Sequence, residues 1–159
     1  SRKVGDQYYA MVSPVMIDAK NPLYSVNGVF NAIFIHGNVL GDAMFYGSGA
    51  GKLPTASAVV ADVVDCAKNK GRNIMMSWSE EKLNLLQIDD VKSRFFVRVS
   101  GHAAERQSEI EELFGKVEIV AVPSLSEEFA FITGEITEQE YREKAEKLDG
   151  IQSRIRARI

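Results

Sequence analysis

Between Val29 and His36 apolar and polar character alternates along the chain. Val29, Asn31, Ile33 and Ile35 fall on one face, and Phe30, Ala32, Phe34 and His36 on the other. Period two is the signature of a strand. With His36-Gly37-Asn38 as the turn and Asp42–Tyr46 as the return, residues 28–46 are expected to form a hairpin. Ahead of it, residues 8–17 read as a strand whose Pro14 cannot donate to a ladder, which puts that end at an edge or a bulge. Asn21-Pro22 marks a turn. Past the hairpin the period changes. Ala56, Val59, Val60, Val63, Val64 and Ala67 make one continuous helical stripe, expected to lie in a core. Thr55 or Ser57 is the candidate N-cap, Lys68 and Lys70 sit where the helix dipole favours cations, and Gly71 ends the helix.

Residues 72–92 break the rhythm and are read as an irregular linker that lies on a surface, with Trp78 packing there. Beyond it Phe95, Val97 and Val99 alternate with Arg94, Phe96 and Arg98 as a strand. Residues 103–114 follow at helical spacing and stop at Gly115. Strands are expected at 117–122 and 129–134. Thr137 with Glu140 forms a capping box opening a helix with Tyr141, Ala145 and Leu148 on one face. A last strand runs from Ile151 to Ile159. The fold class is therefore α+β (α/β): a mixed-sheet segment, residues 1–90, followed by a ferredoxin-like βαββαβ module, residues 91–159. Such a sheet leaves one face free for a partner. The row Arg154, Arg156 and Arg158 is read as a solvated face of the last strand.

Composition narrows the function classes. The 159 residues are 45% hydrophobic and 26% charged, with a net charge of −3 and pI near 5.5. A nucleic-acid surface would show a basic patch. Phe95, Phe96, Phe129 and Phe131 supply aromatics for a nucleic-acid-binding sheet, but the net acidity argues against that class. The excess acid lies in residues 93–159, which agrees with two modules. Cys66 is the single cysteine, so no internal disulfide forms and a reducing, cytoplasmic setting is expected. No 18-residue apolar run appears, so no membrane partner is expected. The chain opens on Ser1-Arg2-Lys3 without a methionine, as an excised piece would.

The stretch that carries candidate chemistry is Gly47-Ser48-Gly49-Ala50-Gly51-Lys52, between the hairpin and the helix. Glycine permits positive φ and close approach, and a helix start points unpaired N–H groups at whatever occupies the loop. The spacing is neither a Walker loop nor Gly-x-Gly-x-x-Gly. His36 is read as a turn residue and Cys66 as an inert small one. No metal site and no catalytic residue stand out.

Taken together, Asn21-Pro22-Leu23, Val26-Asn27-Gly28-Val29-Phe30-Asn31-Ala32-Ile33 and Gly49-Ala50-Gly51-x-x-Pro54-Thr55-Ala56-Ser57-Ala58-Val59 with Asp62 resemble the C-terminal half of homoserine dehydrogenase. The module after residue 90 is similar to the ACT domain that many bacterial members carry. The resemblance implies an NAD- or NADP-dependent oxidoreductase that interconverts L-aspartate 4-semialdehyde and L-homoserine, on the route to threonine and methionine. It further implies that the Rossmann domain and catalytic lysine lie outside this chain, which would then be inactive alone. Lys52 does not match that lysine.

Carried over by position, Gly51 resembles the residue whose backbone meets the nicotinamide end of the cofactor, with Gly49, Ala50 and Thr55 as neighbours. The hairpin resembles the sheet through which catalytic domains dimerise, implying a homo-oligomer. Effector-binding ACT domains carry an Asp-x-Pro-Gly-like turn. Here it is Ser100-Gly101-His102-Ala103, without proline, a departure that argues against threonine feedback. If an amino-acid effector such as L-threonine binds, Gly101 and His102 would be its contacts, and otherwise the module is an assembly element. The rival expectation is a stand-alone amino-acid-sensing or dimerisation module without catalysis.

Overall fold

The computed structural model describes residues 1–72 and 76–159. They form two compact units, one made of Ser1–Asp18 with Lys82–Ile159 and the other of Ala19–Glu81. The first 18 residues thus fold with the second module of the sequence, not with the hairpin and helix that follow them.

Strands β1 (Arg2–Val4) and β2 (Gln7–Tyr9) form a small antiparallel pair, turned by Gly5 at φ +58°. The strand expected over 8–17 is split, because β3 (Val15–Ile17) begins only after Pro14. β3 is the edge strand of the main sheet, the position in which a neighbouring proline costs no ladder bond.

The unit 19–81 opens on a 3-10 turn at Pro22–Ser25, where the Leu23 N–H donates to Asn21 Oδ1 at 3.0 Å. β4 (Phe30–Gly37) and β5 (Gly41–Ser48) pair in unbroken register from Phe30↔Ser48 to Gly37↔Gly41, the expected hairpin. Phe30 stacks on Tyr46 with ring centroids 4.9 Å apart. At its tip His36 pairs with Asp42 across the strands, both exposed. Helix α1 (Lys52–Lys68) follows. It starts one turn earlier than Thr55 or Ser57, since Gly51 is its N-cap. It ends at Lys68 with Asn69 as the C-cap, whose N–H donates to the Asp65 carbonyl, so Gly71 lies beyond the end. The apolar stripe is not core in this chain: Val59, Val60 and Val63 are 58%, 59% and 62% exposed. Nothing in its own unit covers it, because the hairpin exposes its own apolar residues too.

Of the irregular stretch, Asn73, Ile74 and Met75 lie outside the described residues. Trp78, expected to pack on a surface, is 84% exposed. Leu85 bridges to Tyr8, with Tyr8 N–H donating to Asn84 O and Leu86 N–H to Tyr8 O, both at 2.9 Å. A 3-10 turn at Ile88–Asp90 leads into β6 (Lys92–Ser100).

The remaining elements are α2 (Ala103–Phe114), β7 (Glu118–Val120), β8 (Glu128–Ile132), β9 (Ile136–Thr137), α3 (Glu138–Ala145) and β10 (Ile151–Arg158). The sheet order is β3-β10-β6-β8-β7, with β9 beside the start of β6. Setting β3 aside, this is the split βαβ order expected of βαββαβ. β3 adds a parallel strand on the outer edge of β10, pairing Arg156↔Val15 and Arg158↔Ile17, so the sheet is mixed.

The core lies between sheet and helices: Phe95, Val97, Val99, Ile110 and Phe131 are fully buried, with Phe114, Phe129, Tyr141 and Leu148 around them. Gly115 takes φ +77° as the α2 C-cap, which any other residue would adopt under strain. The capping box is present in both directions, Glu140 N–H to Thr137 Oγ1 at 3.1 Å and Thr137 N–H to Glu140 Oε2 at 2.7 Å. No helix among the described residues is long and apolar enough to cross a membrane.

Candidate functional site: the glycine loop and the strand–helix turn

The loop between β5 and α1 is built by two glycines with different reasons. At Gly49 the obstacle is a neighbour. A Cβ there would collide with the Asn31 side-chain amide and come within 2.9 Å of its Cγ. Asn31 faces Gly47 in the hairpin register, so the opposite strand decides this position. At Gly51 the reason is the backbone, which stands at φ +117°, ψ 159° as the chain enters the helix. Gly47 has open space around it and is not required in the same way.

Thr55, expected as a cap, instead closes the first turn. Its N–H and its Oγ1 both donate to the Gly51 carbonyl, at 3.2 and 2.9 Å. Gly51 provides no side-chain cap, and Pro54, at the third helical position, has no N–H. The first-turn donors left over are the N–H groups of Lys52 and Leu53. Gly49, Ala50, Gly51, Lys52 and Thr55 are all exposed. The loop therefore offers uncapped donors beside exposed glycine backbone, a surface suited to an amide or a phosphate edge.

The second candidate pair lies in the other compact unit. Gly101, at φ +104°, donates its N–H to the Glu127 carbonyl at 2.8 Å, and His102 is the N-cap of α2 without a side-chain cap bond. The residue that organises this turn is Arg106, which spacing alone gave no reason to select. Its guanidinium donates to Ser100 O at 2.9 Å, to Asp149 O at 3.0 Å, and to the Glu109 carboxylate at 3.1 and 3.0 Å. It thereby ties the β6–α2 turn to the turn before β10. A Cβ on Gly101 would press on Arg106 Cδ at 3.2 Å. His102 stays exposed beside this clamp.

The arginine row of β10 is not simply solvated. Arg154 and Arg156 both bind Glu138, whose side chain is 5% exposed at the start of α3. Arg154 also lies over the rings of Phe95 and Tyr141, 5.2 and 4.7 Å from their centroids. Burial pushes the Tyr141 phenol up, opposed by the Arg154 charge. The signal for this cluster was a carboxylate one residue after a capping threonine, opposite a strand with arginine at every second position. Nothing in that spacing reveals which face of the strand is covered. Among the described residues no group of His, Cys, Asp and Glu is placed to hold a metal.

Comparison with known proteins bears on the first of these sites. Residues 1–64 match the family model for homoserine dehydrogenase. The homoserine dehydrogenase of Lactococcus lactis is 42% identical over 94 residues, which is 57% of this chain and 22% of that protein. That of Corynebacterium glutamicum is 54% identical over 61 residues, 38% of this chain and 14% of the relative. Among solved structures, a homoserine dehydrogenase from Thiobacillus denitrificans superposes with a TM-score of 0.69 at 24% identity, covering 92% of this chain and 38% of its own, and shows the shared fold. The S. aureus homoserine dehydrogenase at pH 6.0 gives 0.63 at 26% identity, over 92% of this chain and 37% of its own. Residues 1–64 are thus similar to homoserine dehydrogenases, and the aligned segments span 22% or less of the length of these two curated relatives.

Proposed function

We propose that this chain is the C-terminal part of an NAD(P)-dependent homoserine dehydrogenase, which interconverts L-aspartate 4-semialdehyde and L-homoserine in threonine and methionine biosynthesis. The observation that carries the reading is the uncapped helix start at Gly51, at φ +117° on an exposed loop, within the segment that matches the family model. NAD or NADP, when bound, supplies the hydride acceptor for homoserine oxidation. The part of this chain is to hold and orient. The Lys52 and Leu53 N–H groups and the Gly49–Ala50–Gly51 backbone would line the nicotinamide side of the cofactor, and Thr55 would keep the Gly51 carbonyl turned into the helix. The loop 47–55 bears no carboxylate to repel a phosphate.

The exposed apolar residues of the hairpin fit a dimerisation sheet, and βαββαβ topology fits an ACT module. An effector such as L-threonine would meet that module at Gly101 and His102. Cytoplasmic placement accompanies this reading. The chain contains no Gly-x-Gly-x-x-Gly segment and is expected to be inactive alone. A second reading, an amino-acid-sensing or dimerisation module without chemistry, draws on one fact: every buried hydrophobic among the described residues lies between Val91 and Ala157.

The deciding experiment follows homoserine-dependent reduction of NAD and NADP by the full natural polypeptide, with and without L-threonine. Gly51→Ala forces an L-residue into the positive-φ position and is expected to raise KM for the cofactor by tenfold or more. An inert full polypeptide, or an unaffected Gly51→Ala variant, would remove the cofactor role and leave the second reading.

A further inference from the structure

The unit formed by residues 1–18 and 82–159 contains a cavity of about 470 Å³, lined from one side by Arg2, Tyr9 and Ser13 and from the other by the start of β6 and the end of β10. Five lining residues are cationic, Arg2, Lys92, Arg94, Arg156 and Arg158, against the one carboxylate of Glu135. In a chain of net charge −3 that concentration needs a reason. Two of the five are engaged. Arg94 donates to Thr133 O and Ile159 O and faces Glu118, and Arg156 binds Glu138. Arg2, Lys92 and Arg158 make no ion pair among the described residues, although the Lys92 charge reaches Glu140. An independent observation points the same way: Ser13 Oγ and Arg156 Nε are buried with no hydrogen-bond partner, and both residues line the cavity. Orphaned buried donors mark a place where something else completes the bonding.

We propose that this cavity binds a small dianion of the phosphate-monoester class. Its volume falls within the range of about 300–1,000 Å³ typical of ligand sites. Guanidinium forks and a serine hydroxyl match phosphate oxygens, and converging cations at a partly enclosed surface raise the local anion concentration. Three unpaired cations suit two negative charges better than the single charge of a carboxylate. The site lies where β3 joins β10, so occupancy ties the N-terminal strands to the ferredoxin-like sheet. Its lining shares no residue with the glycine loop.

The test titrates inorganic phosphate, then sulfate and a simple phosphate monoester, into the full natural polypeptide by calorimetry at low ionic strength, with and without saturating NADP. Lys92 and Arg158 are exposed, so K92Q/R158Q is expected to fold, as circular dichroism would verify. The expected result is one saturable phosphate per chain, weakened by salt, retained with NADP present, lost at least tenfold in K92Q/R158Q and kept in K92R/R158K. A phosphate-dependent rise in Tm that disappears in the same variant gives a second readout. The proposal is overturned by an absence of saturable binding, by binding that survives K92Q/R158Q, or by binding that NADP abolishes, which would place the anion at the cofactor loop.

Discussion

Val97 and Val99 in β6 and Val59 and Val63 in α1 are the same residue type in equally regular patterns, yet the first two are fully buried and the second two are 58% and 62% exposed. The contrast holds for the whole of each region. The ferredoxin-like module closes helices α2 and α3 over its sheet and excludes water from a core of Phe95, Ile110, Phe114, Phe131 and Tyr141. Residues 19–81 contain a complete hairpin and a long helix but no buried residue among those described. Hydrogen bonding within each element satisfies the backbone there, while the apolar faces stay open. Secondary structure and a core are thus separable products of a sequence. Local periodicity gives the first, and the second needs an opposing surface. Contiguous exposed apolar residues are typical of interaction surfaces in general, and the segment covers only a fraction of its relatives' length.

The comparison is broken or sharpened most strongly in the core. Phe131→Ala is expected to cost about 3–5 kcal/mol of stability by leaving a cavity, whereas Val63→Ala, on the open stripe, should shift it by less than about 0.5 kcal/mol. Urea unfolding of both variants checks the pair, and a comparable loss at Val63 would mean that the stripe is covered in solution.

Next in size is the buried carboxylate. Glu138→Ala strands Arg154 and Arg156, and is expected to cost about 2–4 kcal/mol, somewhat below the cost of breaking a fully buried pair because Arg154 is 37% exposed. A neutral result by chemical denaturation would show that the two arginines find water or a bound anion instead.

The smallest effect is at the cap of α3. Thr137→Ala should cost about 1 kcal/mol. The backbone N–H of Thr137, then its hydroxyl, hold the Glu140 carboxyl below its usual 4.5. A depressed carboxyl stabilises the fold above its unfolded pKa, and that contribution disappears as pH falls through the folded one. Stability should therefore decline on acidification below about pH 4.5, and Glu140→Gln should flatten that part of the profile. An unchanged slope in a pH series of denaturation curves would dissociate Glu140 from acid sensitivity.

Legibility followed the range of the interaction. The capping box at Thr137 and Glu140, the glycine stop at Gly115, the 28–46 hairpin and the βαββαβ order could be read directly, because each depends on hydrogen bonds or side-chain periods within a few residues. The glycine loop was legible as a loop, but Gly49 and Gly51 look alike in sequence. Only the packed strands show that one makes room for Asn31 while the other bends the backbone.

The sequence by itself determined the kind of each main element, the turn chemistry between them and, through Gly49-Ala50-Gly51-x-x-Pro54-Thr55-Ala56, the family that residues 1–64 resemble. Tertiary structure alone decided that β3 pairs with β10, that Arg106 clamps the turn at Gly101, that Arg154 and Arg156 converge on Glu138, and that the α1 stripe lies open. The physical reason is that local hydrogen-bonding patterns are written in neighbouring residues. Burial and ion pairing depend on which distant surfaces meet, and a linear pattern records only that a surface awaits a partner.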